Sequence, residues 1–137
     1  MAHYLDTLRY GNGDITGGID QFWLTGGLRI SPREQIEFLV RLYRDQLPLQ
    51  PRTMATVRRI MTQEQRDGLT LRAKTGWSVL PDGCNVGWWV GWVERGADVF
   101  FFASMIEGTH PGATFGPARA DVGRSVLRRL GVLAPAG

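Results

Sequence analysis

Gly87-Trp88-Trp89-Val90-Gly91-Trp92-Val93-Glu94-Arg95-Gly96-Ala97-Asp98-Val99-Phe100-Phe101-Phe102-Ala103 reads as two strands and the turn between them. Side chains alternate along a strand, so Trp88, Val90 and Trp92 share one face, and Trp89 and Val93 share the other. The segment is therefore apolar on both faces. Gly91 has no side chain and leaves room for a neighbour to pack closely. Arg95-Gly96-Ala97-Asp98 supplies a short hairpin connection, and Val99 to Glu107 forms the next strand. The tryptophans at 88, 89 and 92 read as packing groups, not as a platform for stacking sugars or bases.

Upstream of this pair, Leu69, Leu71 and Ala73 alternate as a half-buried strand does, and Pro81-Asp82-Gly83 marks the turn that follows. The spacing therefore predicts a three-stranded antiparallel meander. Helical signals flank it. Ser31-Pro32-Arg33-Glu34 combines a cap, a proline at the first helical position and the acid of a capping box. Ile36, Leu39, Val40, Tyr43 and Leu47 continue it at helical spacing until Pro48 and Pro51. Met54, Val57, Ile60 and Met61 mark a shorter helix. Pro117 opens a last one, with Val122, Val126, Leu127 and Leu130 expected inward and Gly131 near its cap. Residues 1–9 read as the tail of an amphipathic helix. Residues 10–30 read as a Gly-rich ordered loop, and 108–116 as another loop. Helices, meander and terminal helix make an α+β fold.

The 137 residues suit a single domain of ordinary apolar content. No run of about 18 apolar residues appears, and the start lacks a basic segment followed by an apolar one, so neither a membrane span nor a signal peptide is read. Cys84 is the sole cysteine, which leaves the redox compartment open. Net charge is +3, with arginines scattered among acids apart from Arg58-Arg59 and Arg128-Arg129. Those pairs read as solvated helix faces, so no nucleic-acid partner is expected. His3 and His110 have no further ligands at metal spacing, so no metal or other cofactor is expected. Asp14 and Asp20 read as loop caps, and Glu94 and Glu107 as solvated strand ends.

Lys74 is the only lysine, and it stands in Lys74-Thr75-Gly76-Trp77 at the end of a strand. Ordered around it are Tyr10-Gly11-Asn12, Asp14-Ile15, Phe22-Trp23-Leu24, Ile30-Ser31-Pro32 with Glu34-Gln35 and Phe38-Leu39, the Gly87–Glu94 segment and Phe101-Phe102-Ala103. Taken together these resemble the class D β-lactamases (oxacillinases), close to the carbapenem-hydrolysing branch. The resemblance runs along nearly the whole chain and covers the C-terminal half of that family's serine β-lactamase/transpeptidase fold. Residues 1–137 are accordingly expected to be one partial domain without its N-terminal portion.

The resemblance implies roles residue by residue. Lys74, Thr75 and Gly76 match the strand motif along the active-site cleft, where Lys74 and Thr75 meet the substrate carboxylate. Trp77 matches the position whose backbone N–H forms half of the oxyanion hole. Arg119 matches the arginine that pairs with the β-lactam carboxylate, a task suited to a guanidinium. Trp23 matches the tryptophan whose indole holds a carboxylated lysine, and Tyr10-Gly11-Asn12 matches a structural motif beside the site. The family's nucleophile and base come from a Ser-x-x-Lys motif. Ser31, Ser78, Ser104 and Ser125 are the only serines here, and none has lysine three residues on. No catalytic residue is therefore assigned, and the chain is expected to be inactive by itself. β-lactam-sensing receptors and penicillin-binding transpeptidases share the K-T-G motif and stand as the alternative. A non-catalytic protein that associates through an exposed sheet edge is a third reading. The family acts in the periplasm.

Overall fold

A computed structural model of the chain describes residues 1–109 and 112–135, so His110 lies outside the described residues. The elements are α1 (Ala2–Leu8), α2 (Pro32–Tyr43), α3 (Pro51–Met61), β1 (Thr62–Arg66), β2 (Leu69–Val79), β3 (Cys84–Arg95), β4 (Asp98–Thr109) and α4 (Phe115–Arg129). The fold is α+β, as expected, but the antiparallel sheet has four strands in the order β1-β2-β3-β4 instead of three. The extra strand, Thr62-Gln63-Glu64-Gln65-Arg66, is polar throughout and gives no apolar alternation to read. Its stability comes from pairing with β2 and from an ion pair between Glu64 and Arg124 of α4.

Local chemistry sets the element boundaries. Ser31 Oγ accepts from the Glu34 N–H, while the Glu34 carboxylate accepts from the Ser31 N–H at 2.8 Å, closing the capping box of α2. β3 and β4 are joined by Gly96 and Ala97, with Gly96 at φ 60°, the positive angle a type II′ hairpin demands at its first central residue. At Gly91 a side chain would collide with the Arg72 carbonyl of β2, so the glycine permits the close approach of the two strands.

β3 is the centre of the molecule. Trp89 and Val93 pack with Leu71, Ala73 and Leu127 beneath α4. Trp92 packs with Leu39, Leu42, Met54 and Met61 beneath α2 and α3 on the opposite face. Trp89, Trp92 and Val93 are fully buried. Burial of this kind contributes roughly 1.5–3 kcal/mol per large apolar side chain, which makes the two-sided β3 the principal hydrophobic anchor.

Two expectations are corrected here. In α4, Phe115, Gly123 and Leu127 face inward, whereas Val122, Val126 and Leu130 are exposed. Gly123 is the reason, since its bare Cα lets the helix settle on the Trp89 ring, and this turns the 123/127 line, not the 122/126 line, toward the sheet. Glu94 is not a solvated strand end. It is half-buried, pairs with Arg72 and accepts from Trp92 Nε1 at 2.8 Å.

Candidate active site

The K-T-G segment lies in the second half of β2, where the strand has only one neighbour. β1 pairs with β2 from Leu69 to Arg72 and goes no further, while β3 pairs with it all the way to Val79. The Ala73 carbonyl accepts from Gln63 Nε2 at 3.3 Å, on the β1 side. Backbone groups alternate in direction along a strand, so the N–H and C=O of Thr75 and Trp77 point to that same open side. The Trp77 N–H is thus presented along an unpaired strand edge, where a ligand's carbonyl oxygen can reach it.

Side chains of the segment divide between the two faces. Thr75 and Trp77 share the α4 face with their partners Trp89 and Gly87. Lys74 and Gly76 share the other. Lys74 Nζ donates to the Thr75 carbonyl at 2.6 Å. Arg119, from the second turn of α4, donates through Nη1 to the Gly76 carbonyl at 3.1 Å and through Nε to the Gly116 carbonyl at 2.8 Å. Two cations therefore sit on successive carbonyls of one strand, Lys74 on that of Thr75 and Arg119 on that of Gly76. Arg33, Arg58, Arg66, Arg72 and Arg124 each have a carboxylate partner, whereas Lys74 and Arg119, in common with the remaining arginines, have none among the described residues. Unpaired cations beside a strand edge with free donors make a site for an anion, and a planar carboxylate suits a guanidinium best.

Several residues that the sequence did not single out hold this arrangement. The Arg119 stem lies over Gly87, where an added Cβ would come 2.6 Å from its Cγ. The Arg119 guanidinium also covers the Trp77 ring at 5.1 Å. Trp77 is fixed in turn by its Nε1 donating to Asn85 Oδ1 at 2.8 Å and by Phe115 at 5.4 Å. Asn85 is buried and donates to the Gly83 carbonyl at 3.1 Å, which anchors it in the β2–β3 turn. The available signal was register: Asn85 and Gly87 are the cross-strand neighbours that any hairpin through Pro81-Asp82-Gly83 brings to the Trp77 side.

Tyr10, Gly11 and Asn12 make no hydrogen bond to Lys74 or Arg119 among the described residues; they organise the loop that leads to Trp23. Asn12 accepts from the Arg29 N–H at 2.9 Å and donates to the Gly27 carbonyl at 2.9 Å, so one side chain clamps both ends of residues 12–29. Gly11 has φ 56° and its Cα lies against the Arg29 carbonyl, where no side chain fits. Tyr10 donates to Gln35 Oε1 at 2.8 Å, and burial pushes its phenol pKa up, with the Gln35 bond partly offsetting this. Within the loop, the Thr16 N–H donates to Asp14 Oδ1 at 2.8 Å and holds that carboxyl below its ordinary range.

The far end of the loop is tied to the site strand itself. Ser78 Oγ donates to the Leu24 carbonyl at 2.7 Å, one residue beyond Trp77. Trp23, next to Leu24, is exposed and stacks edge-on against the buried Phe22 at 4.9 Å. The other serines lie elsewhere: Ser31 in the α2 cap, Ser104 in β4 opposite Trp89, and Ser125 on the outer side of α4.

This geometry has known counterparts. Residues 1–128 match the family model described as "Penicillin binding protein transpeptidase domain". Beta-lactamase OXA-48 of Klebsiella pneumoniae is 46% identical over 107 residues, which are 78% of this chain and 40% of that protein. Beta-lactamase OXA-10 of Pseudomonas aeruginosa is 36% identical over 135 residues, 97% of this chain and 50% of that one. Among solved structures, the class D β-lactamase YbXI from Nostoc superposes with a TM-score of 0.87 at 40% identity, covering 97% of this chain and 55% of its own. The chain thus spans about half the length of the relatives it matches.

Proposed function

This chain belongs to the penicillin-binding-protein transpeptidase domain family and stands among the class D β-lactamases, and from that footing we propose that it supplies the substrate-anchoring wall of a β-lactam site without turning substrate over by itself. The observation that carries the reading is the pair of unpartnered cations, Lys74 and Arg119, held on successive carbonyls beside Thr75. In this reading the β-lactam carboxylate takes the Arg119 guanidinium and the Thr75 hydroxyl, with Lys74 adding positive potential along the same strand. The lactam carbonyl oxygen takes the Trp77 N–H on the open edge of β2. Trp23, Tyr10, Gly11 and Asn12 act as support by fixing the loop that Ser78 fastens to that strand.

Turnover needs an activated nucleophile, which none of the four serines provides, since no lysine stands three residues after any of them. Loss of the nucleophile alone costs roughly 10⁶ in turnover in other serine hydrolases. A single oxyanion donor contributes about 10²–10³, too little to restore it. Incubation of the pure chain with benzylpenicillin, followed by intact mass and product analysis, tests the reading. Reversible binding with unchanged mass and no hydrolysis above buffer is expected. Hydrolysis of penicillin in stoichiometric or greater amount, suppressed by no contaminant inhibitor, overturns it.

A further inference from the structure

At the end of β2 remote from Trp77, strand register gathers positive charge on one face. Leu69 opens β2 opposite Arg66 of β1 and opposite Arg95 of β3. Directly opposed residues share a face, and Leu69 packs with the core cluster beneath α4, so Arg66 and Arg95 flank it on the α4 side. α4 brings two more arginines to that place. Arg124 and Arg128 stand one helical turn apart on one flank, and Arg124 pairs with Glu64 of β1. Beyond the helix, Gly131 at φ 71° turns the chain, and the N–H groups of Val132 and Leu133 both donate to the Leu127 carbonyl, at 2.9 and 3.3 Å. This folds Val132 and Leu133 onto the sheet, where both are buried.

Between these groups lies a cleft of about 450 Å³, a volume that suits a small organic molecule better than a bare ion. Leu69, Val132 and Leu133 give it an apolar floor. The four arginines stand against two carboxylates, Glu64 and Asp67, so the lining carries two positive charges in excess. Arg124 is already committed: it pairs with Glu64, reaches Gln63 Oε1 at 3.4 Å and lies over the Trp89 ring at 5.5 Å. Arg66 shares Glu64 at 3.6 Å. Arg95 Nη1 donates to the Gly131 carbonyl at 2.5 Å, which ties its guanidinium to the cleft wall and leaves its other N–H groups for a ligand. Asp98 faces Arg95 in register without forming an ion pair among the described residues. Arg128 is exposed and has neither a hydrogen bond nor an ion pair among the described residues.

We propose that this cleft is a second anion site, separate from the K-T-G strand, that takes an organic phosphomonoester with a compact apolar body. A phosphomonoester carries close to two negative charges at neutral pH, which matches the excess of the lining. Guanidinium groups suit phosphate oxygens through paired N–H donors, and Arg95 and Arg128 are the two with donors to give. Arg124 and Arg66, partly neutralised by Glu64, add potential at the rim. The apolar body of the ligand covers Leu69, Val132 and Leu133, which inorganic phosphate would leave wet. A carboxylate of the same shape brings only one charge. The inference is independent of the β-lactam reading, because none of these residues belongs to that site and the two ends of β2 concerned, Leu69 and Trp77, are roughly 26 Å apart along the strand.

Isothermal titration with 1-naphthyl phosphate at constant ionic strength tests it. Saturable binding at one site is expected, with inorganic phosphate and 1-naphthoate each weaker by about tenfold or more. Arg128→Gln, at an exposed position without a partner, should weaken the naphthyl phosphate by about tenfold while the circular dichroism spectrum stays unchanged. Arg95→Gln should do the same, and Asp67→Asn should tighten binding by removing a repelling carboxylate. Arg129→Gln, one residue along but outside the cleft, should change nothing, and neither should Arg119→Ala. Absence of saturable binding overturns the proposal, as does inorganic phosphate or 1-naphthoate binding as well as the naphthyl phosphate. An equal loss in Arg129→Gln and Arg128→Gln would reduce the effect to general surface charge and overturn it too. Binding abolished by Arg119→Ala would move the ligand to the K-T-G strand and overturn it likewise.

Discussion

Arg119 Nη1 lies 3.1 Å from the Gly76 carbonyl oxygen, and this one bond joins α4 to the K-T-G strand on the face opposite Lys74. It brings a guanidinium from 43 residues away in sequence onto the α4 face of the strand that carries the Trp77 N–H. The space for it is made by Gly87, whose missing side chain is filled by the Arg119 stem.

Gly87→Ala should push Arg119 off Gly76 while leaving the sheet intact, because the two closest atoms belong to the flexible Arg119 stem and the Phe115 ring at 3.1 Å need give only slightly. Penicillin affinity should fall as far as it does in Arg119→Ala, by about tenfold or more for loss of a charge-assisted bond. Isothermal titration of the two variants and their combination checks this. The double variant should be no worse than either single one, since both remove the same contact.

Gly123 lies directly against the sheet, where a Cβ would overlap the Trp89 ring. Trp89 is fully buried and cannot turn aside without displacing its Phe102 neighbour at 4.3 Å. Gly123→Ala is therefore expected to destabilise by about 1–3 kcal/mol, the usual cost of overpacking, in spite of alanine's better helix propensity. Urea unfolding of the variant measures it. A stabilised Gly123→Ala protein would show that α4 packs differently.

Asn12 is expected to matter through the loop. Asn12→Ala removes the bonds to Gly27 and Arg29 and should raise amide hydrogen exchange across residues 12–29, while exchange in β3 and β4 stays unchanged. Asn12→Asp should rescue only the half of the clamp in which Asn12 accepts from Arg29. Equal exchange in the alanine variant and the parent would remove Asn12 from its assigned role.

The pH dependence follows from three groups. Asp14 is held low chiefly by the Thr16 N–H, and Glu34 chiefly by the Ser31 N–H. A lowered folded pKa contributes stability above the unfolded value and loses it as pH falls through the folded one, so the loop and the start of α2 should loosen below roughly pH 4. Tyr10 is held high by burial, so its contribution is present below its unfolded pKa and is lost as pH rises above about 10. Amide exchange at Thr16 and Glu34 against pH, in the parent and in Asp14→Asn, checks the acid limb. A loop as well protected at pH 3 as at pH 7 would contradict it.

Much of this was readable from the residues. The capping box at Ser31, the hairpin at Gly96-Ala97 and the two-sided β3 rest on local rules that the structure obeys. β1 was not readable, because a polar strand that survives through pairing and an ion pair to α4 leaves no periodic trace. The facing of α4 was misread because the apolar valines at 122 and 126 outweighed Gly123, whose contribution is close approach and not hydrophobicity. The candidate site on the K-T-G strand and Arg119 came from resemblance, not from any local rule. Asn85, Gly87 and Ser78 were missed because their importance comes from cross-strand register and from a loop docked 54 residues away.

The central claim is that the edge of β2 around Lys74, Thr75, Gly76 and Trp77 binds a β-lactam carboxylate without reacting with it. Titration of the ¹⁵N-labelled chain with benzylpenicillin tests it most directly. The account predicts saturable shifts at the Thr75, Gly76 and Trp77 amides and at the Arg119 side chain, reversed on dialysis, abolished by Arg119→Ala, and with the protein mass unchanged. Shifts confined to other surfaces, or a penicilloyl adduct on any serine, would contradict it.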